Sequence, residues 1–197
     1  MEIPKTIKVG VLAIQGDFER HVVQLESLGV PCIEVRLPVD LDKIDGIILP
    51  GGESTTMDIM LDRFNLREPL TAFCRTKPVY GTCAGTILLS RRIQDNLSNV
   101  KPLNIIDIEV VRNGYGRQVF SFNERLDVNL GNGTKQVEAA FIRAPKIVSF
   151  GSGVEVLARR GDDPVLVRSG KVLACVFHNE LGGDTAILRY FLTHYFG

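Results

Sequence analysis

The chain has no net charge, because its 197 residues balance 23 Lys and Arg against 23 Asp and Glu. It therefore lacks the basic excess of a nucleic-acid binder and the local polybasic cluster of a membrane anchor, and neither nucleic acid nor membrane is expected as a partner. Long apolar runs are missing too. The longest near the start, Val9 to Ile14, falls far short of the ~18 residues that suggest a span. No small-residue cleavage site follows it, so the chain reads as mature and cytoplasmic. The four cysteines, Cys32, Cys74, Cys83 and Cys175, never take C-x-x-C spacing. Neither a zinc site nor a disulfide framework is expected. The sequons at Asn96 and Asn132 carry little weight without a secretory route. Repeats, low-complexity tracts and linkers are also lacking, which leaves one domain over 1–197.

What is present alternates. Lys8 to Ile14, Cys32 to Leu37 and Gly46 to Pro50 read as buried strands. Between the first two, Phe18, Val22, Leu25 and Leu28 fall near helical spacing, with Asp17 as N-cap and Gly29 and Pro31 as the stop. A helical stretch from about Thr55 to Arg75, broken near Asn65, leads to the strand Val79 to Thr82 and a further helix, Ala84 to Arg92. Strands alternating with helices predict a parallel sheet covered on two sides. From Leu103 onward the pattern changes to short β runs between Gly, Asn and Asp turns: Ile105 to Val111, Val119 to Phe122, Val137 to Ile142, Val154 to Ala158 and Val165 to Arg168. This predicts an antiparallel extension beside the main sheet. The strand Lys171 to Phe177 and a helix from about Thr185 to Tyr195 close the pattern.

The sharpest feature is Gly81-Thr82-Cys83-Ala84-Gly85, between an apolar strand and an apolar helix. It is the thiol counterpart of a nucleophile elbow, in which glycines let the backbones flanking a strained turn approach one another. The turn would set the sulfur at a helix N-terminus, where unpaired N–H groups favour a thiolate. The Ala84 N–H would face an oxyanion on the attacked carbon. The same residues would also suit a buried structural cysteine. For a base there are only His21, His178 and His194. His178 ends an apolar strand, and in an extended segment Glu180 projects to its side, able to fix the imidazole tautomer. A surface histidine with a chance glutamate is the alternative. His21 reads as a solvated helical residue and His194 as peripheral. Gly51-Gly52 at the end of the third strand could turn a second N–H toward the same oxyanion. Alternatively, the loop simply ends in a Ser54 or Thr55 helix cap.

Together these pieces resemble the class I, triad-type glutamine amidotransferases, and within them the branch of glutaminase subunits of pyridoxal phosphate synthase. The motifs carrying the resemblance run in order: Ala13-Ile14-Gln15-Gly16-Asp17, Pro50 to Met57, Gly81 to Gly85, Arg112 to Gln118, Phe141 to Pro145 and Phe177 to Leu181. The resemblance implies an α/β fold, a three-layer flavodoxin-like sheet, mostly parallel, with the antiparallel extension in the second half. It makes Cys83 the nucleophile and His178 with Glu180 its relay. It gives glutamine binding to Gly51, Gly52, Glu53, Arg112, Ile142 and Arg143, and an oxyanion hole to Ala84 and Gly52. It implies hydrolysis of L-glutamine without cofactor or metal, the ammonia passing to a separate synthase subunit in a hetero-oligomer. The Gln15–Asp17 loop could sense that subunit. Two departures stand out. Asn179 replaces the proline of the usual His-Pro-Glu, freeing one backbone angle, and Val111 stands where glutamate is common. A glutaminase serving another synthase, a γ-glutamyl peptidase of the same fold and a non-catalytic sensor are the competing readings.

Overall fold

In a computed structural model of the chain, the described residues are 2–4, 6–94, 99–115, 121–131 and 133–197. The first half builds β1 (Val9–Leu12), α1 (Phe18–Ser27), β2 (Cys32–Val35), β3 (Gly46–Leu49), α2 (Ser54–Arg63), α3 (Arg67–Thr76), β4 (Val79–Thr82) and α4 (Ala84–Leu89). The second half adds β5 (Ser90–Ile93), β6 (Ile106–Val111), β7 (Phe122–Asn129), β8 (Thr134–Phe141), β9 (Lys146–Phe150), β10 (Glu155–Arg160), β11 (Asp163–Ser169), β12 (Val172–Cys175) and α5 (Ala186–Phe196).

Nine strands form one sheet in the order β2-β1-β3-β4-β12-β11-β10-β7-β8. From β2 to β12 every neighbour is parallel, and from β12 to β8 every neighbour is antiparallel. Every residue of β1, β3, β4 and β12 is buried, which is why these strands read as continuous apolar runs rather than alternating ones. The two covering layers follow from side-chain alternation along β4. Tyr80 packs on His21 of α1 and Phe191 of α5. On the other face, a Cβ on Gly81 would meet Leu89 of α4 at 2.6 Å. Helices therefore cover both faces. No helix among the described residues is long and apolar enough to cross a membrane.

Several local expectations are corrected. The helix after Cys83 does not reach Arg92. It ends at Leu89, where Ser90 turns extended (ψ 158°) and its hydroxyl donates to Ile87 O at 2.7 Å. Ser90–Ile93 becomes β5 and joins β6 and β9 in a second, three-stranded sheet, with Arg91 and Arg92 facing Asp107 and Glu109 across it. Asp17 occupies the N-cap position of α1 but makes no side-chain capping bond. The break expected near Asn65 is present, with Asn65 left-handed (φ 54°) between α2 and α3. The run from Val119 lies outside the described residues up to 120, as does the sequon at 96–98, and β7 begins at Phe122. A 3-10 turn over Pro38–Lys43 and the strand β9 had no expectation attached to them.

Candidate active site

In an open parallel sheet, functional groups gather beyond the carboxyl ends of the strands, where the strand order reverses direction. Here β1 lies between β2 and β3, and the segments leaving β1, β3, β4 and β12 meet at one edge. A cavity of about 320 Å³ opens there, and Gly52, Glu53, Cys83, Arg112, Ile142, Arg143 and His178 all line it, with Gln15 beside them. Gly51 and Ala84 are not among its lining residues.

Cys83 sits between β4 and α4 at φ 44°, ψ −103°, a left-handed position that a residue with a side chain enters only under strain. Neighbouring backbone holds it there. Cys83 N–H donates to Cys175 O at 2.9 Å, and Gly85 N–H donates to Pro50 O at 3.1 Å. A Cβ on Gly85 would stand 2.0 Å from Leu49 O, so only glycine lets the start of α4 lie this close to β3. Cys83 is 5 % exposed, at the cavity floor.

Parallel pairing of β12 with β4 sets Cys175 opposite Thr82, so the chain leaving β12 passes beside the elbow. It delivers His178, whose N–H donates to Ala140 O at 2.9 Å while Ala140 N–H donates back to His178 O at 3.1 Å. The antiparallel extension thus clamps the backbone of the histidine. His178 Nδ1 lies 2.6 Å from Glu180 Oε1, and both side chains are buried. Burial works against a charge on the ring, but hydrogen bonds with Cys83 and Glu180 outweigh it and raise His178 to about 10. Burial alone would raise the Glu180 carboxyl. The His178 bond and the neighbouring rings override it and hold the acid below its ordinary value. The ring rests on bare backbone, since a Cβ on Gly51 would reach His178 Cε1 at 2.2 Å.

The Gly51–Glu53 turn is tied to the loop after β1. Asp17 N–H donates to Gly51 O at 3.0 Å, and Glu53 N–H donates to Gln15 Oε1 at 2.9 Å. The cap of α2 is neither Ser54 nor Thr55. Glu53 performs it, its carboxylate accepting from the N–H groups of Thr55 (3.1 Å) and Thr56 (2.7 Å). Against the desolvation that opposes it, this bonding keeps the Glu53 carboxyl below its ordinary value. Arg112, just past β6, donates to Glu53 Oε1 at 3.1 Å and to Thr55 Oγ1 at 3.0 Å. Arg143 follows β8 in a left-handed conformation (φ 47°) at the cavity wall.

His21 is the histidine that sequence reasoning misplaced. It is fully buried, with Nε2 at 3.3 Å from Thr82 Oγ1 and 3.8 Å from Glu180 Oε1. Burial lowers its pKa, although the Glu180 carboxylate in front of it pulls the other way. His194 is peripheral, stacked on Tyr190 and bonded to Arg168. Among the described residues, no cluster of three or more His, Cys, Asp or Glu is placed to hold a metal ion.

A protein-family profile for SNO glutamine amidotransferases matches residues 11–196. The chain belongs to the SNO glutamine amidotransferase family. It is 50% identical over 191 residues to the pyridoxal 5'-phosphate synthase subunit PdxT of Thermosipho africanus, covering 94% of this chain and 97% of that one. To the subunit of the same name from Thermotoga maritima it is 49% identical over 187 residues, covering 94% and 98%. A crystal structure described as a glutamine amidotransferase superposes with a TM-score of 0.88 at 43% identity, covering 96% of this chain and 99% of its own. The PurLQS structure from Thermotoga maritima, at 16% identity and a TM-score of 0.67, shares the fold. The sheet of this family member is thus the flavodoxin-like α/β arrangement with its antiparallel extension.

Proposed function

We infer that this SNO family chain is the glutaminase subunit of a pyridoxal 5'-phosphate synthase, hydrolysing L-glutamine and supplying ammonia to a synthase subunit. The observation that carries the reading is the meeting of Cys83 and His178 at one cavity, drawn from segments almost a hundred residues apart, with Glu180 bonded to the far side of the imidazole.

In the mechanism, the Cys83 sulfur attacks the carboxamide carbon of glutamine while His178 holds the thiol proton. Glu180 fixes the ring through Nδ1, so that Nε2 faces the reaction, and stabilises the imidazolium. The oxyanion is assigned to the Ala84 N–H and the Gly51–Gly52 turn. Removing one such donor costs roughly 10²–10³ in turnover. His178 passes its proton to the departing nitrogen, ammonia leaves, and a γ-glutamyl thioester remains on Cys83. Water attacks that thioester with His178 as base, releasing glutamate and restoring the thiol. Arg112 and Arg143 stand where the charged end of glutamine would lie, with Gly52, Glu53 and Ile142 completing its walls. No step calls for a metal or organic cofactor. One domain over 1–197 carries the reaction, and a cytoplasmic location suits a nucleophile that must stay reduced.

The test is ammonia release from glutamine with and without a synthase subunit, combined with mass spectrometry of Cys83. A glutamyl adduct on Cys83 during turnover, lost in Cys83→Ala together with activity, is the expected result. Turnover in Cys83→Ala would rule the thioester route out.

A further inference from the structure

Between His178 and Glu180 stands Asn179, a polar residue only 1 % exposed. Its side-chain oxygen accepts a 2.6 Å hydrogen bond from the hydroxyl of Tyr80. Tyr80 lies three residues before Cys83 on β4, fully buried and paired in register with Ile48 of β3 and Leu173 of β12. Its ring is held by Phe191 of α5 on one side and by His21 of α1 on another. A tyrosine buried in the middle of a parallel sheet needs a partner for its hydroxyl. Here the close partner is the residue joining the base to its acid, with the Cys175 thiol beside the same hydroxyl. We propose that Tyr80 is a positioning residue of the glutaminase reaction, fixing the His178–Glu180 pair through Asn179.

The proposal rests on the glutaminase reading and adds to it a rigid link from the nucleophile's own strand to the other two members of the triad. The segment after β12 is anchored at His178 by Ala140, and the Tyr80 bond supplies the next anchor one residue on. Glu180 needs it. Among the described residues its Oε2 has no hydrogen-bond partner, so bonds to Oε1 alone do not fix the carboxylate plane. The groups facing Glu180 are His178 on its own segment, His21 from α1, Tyr80 from β4 and Cys175 at the end of β12.

The experiment compares the wild-type chain, Tyr80→Phe, Asn179→Ala and the double variant with the synthase subunit present. It reads kcat and KM for glutamine by ammonia release, with Cys83→Ala as the blank. Each single variant is expected to lose roughly tenfold in kcat at unchanged KM. The double variant should lose no more than Asn179→Ala alone, because both changes cut one path. In parallel, the His178 ring followed by NMR should titrate at lower pH in Tyr80→Phe than in the wild type, a shift that a purely structural role would not cause. Losses that multiply in the double variant, or a Tyr80→Phe chain with wild-type kcat and wild-type His178 titration, would overturn the proposal. If Tyr80→Phe does not fold, Asn179→Ala decides by the same two readouts. A wild-type chain that releases no ammonia counts against the glutaminase reading alone, and the His178 titration still decides the role of Tyr80.

Discussion

Arg112 and Glu53 are joined across the cavity mouth at 3.1 Å, through the same carboxylate that caps α2. One side chain thereby starts a helix and anchors an arginine of the proposed glutamine site. Glu53→Ala should cost about 1 kcal/mol of stability as a lost cap and should also raise the KM for glutamine. Chemical denaturation and steady-state kinetics check the two effects. Because the folded-state pKa of Glu53 is lowered, its contribution to stability is present above the carboxyl's ordinary value and is lost as pH falls through the folded one.

The sign reverses for His178. Its pKa rises from 6.5 to about 10 on folding, so its stabilisation is complete below 6.5 and fades as pH climbs to about 10. The stability gap between wild type and His178→Ala should therefore be widest in mild acid and narrow toward pH 10, measured by denaturation at several pH values. Cys83→Ala should lower the His178 titration midpoint seen by NMR, since the thiol is one of the two partners holding it up.

Adding one carbon at Gly51 should disable the chemistry with little effect on folding. The new Cβ would stand 2.2 Å from His178 Cε1, so the ring must move. Displacement by about an ångström typically costs on the order of 10² in rate. Gly51→Ala should lower kcat by that order while the thermal midpoint stays within a few degrees.

Thiol labelling should separate the cysteines. Burial pushes Cys74 up to about 12 and Cys175 well above its ordinary value, whereas Cys83 opens on the cavity. Iodoacetamide at pH 8 should modify Cys83 in the native chain and leave Cys74 and Cys175 untouched until denaturant is added, as read by peptide mass spectrometry.

The parts of the site legible in the sequence are those that depend on local order. The elbow at Cys83 announces itself because an apolar strand, two glycines and an apolar helix lie within a dozen residues. The His178–Glu180 spacing is likewise local. What escaped depends on distant neighbours. Nothing near His21 says that Glu180 will stand 3.8 Å from it, so an amphipathic helix position read as solvated. Ser90–Ile93 continues an apolar helix in sequence, and only its backbone pairing with β6, from a distant segment, makes it a strand. Ser54 and Thr55 are better caps by residue type than Glu53, yet the Gln15 bond to the Glu53 N–H holds that residue at the helix start. The cap was decided from the loop after β1, beyond the reach of local pattern.

The insertion of β12 beside β4 has a consequence for biosynthesis. A ribosome makes the nucleophile's strand and its neighbour β3 well before β12, the other strand that pairs with it. Long-range closures of this kind are slow steps in folding. A nascent polypeptide that stops short of His178 would therefore hold its sulfur without the imidazole beside it, and the thiol waits on that later segment for its proton acceptor.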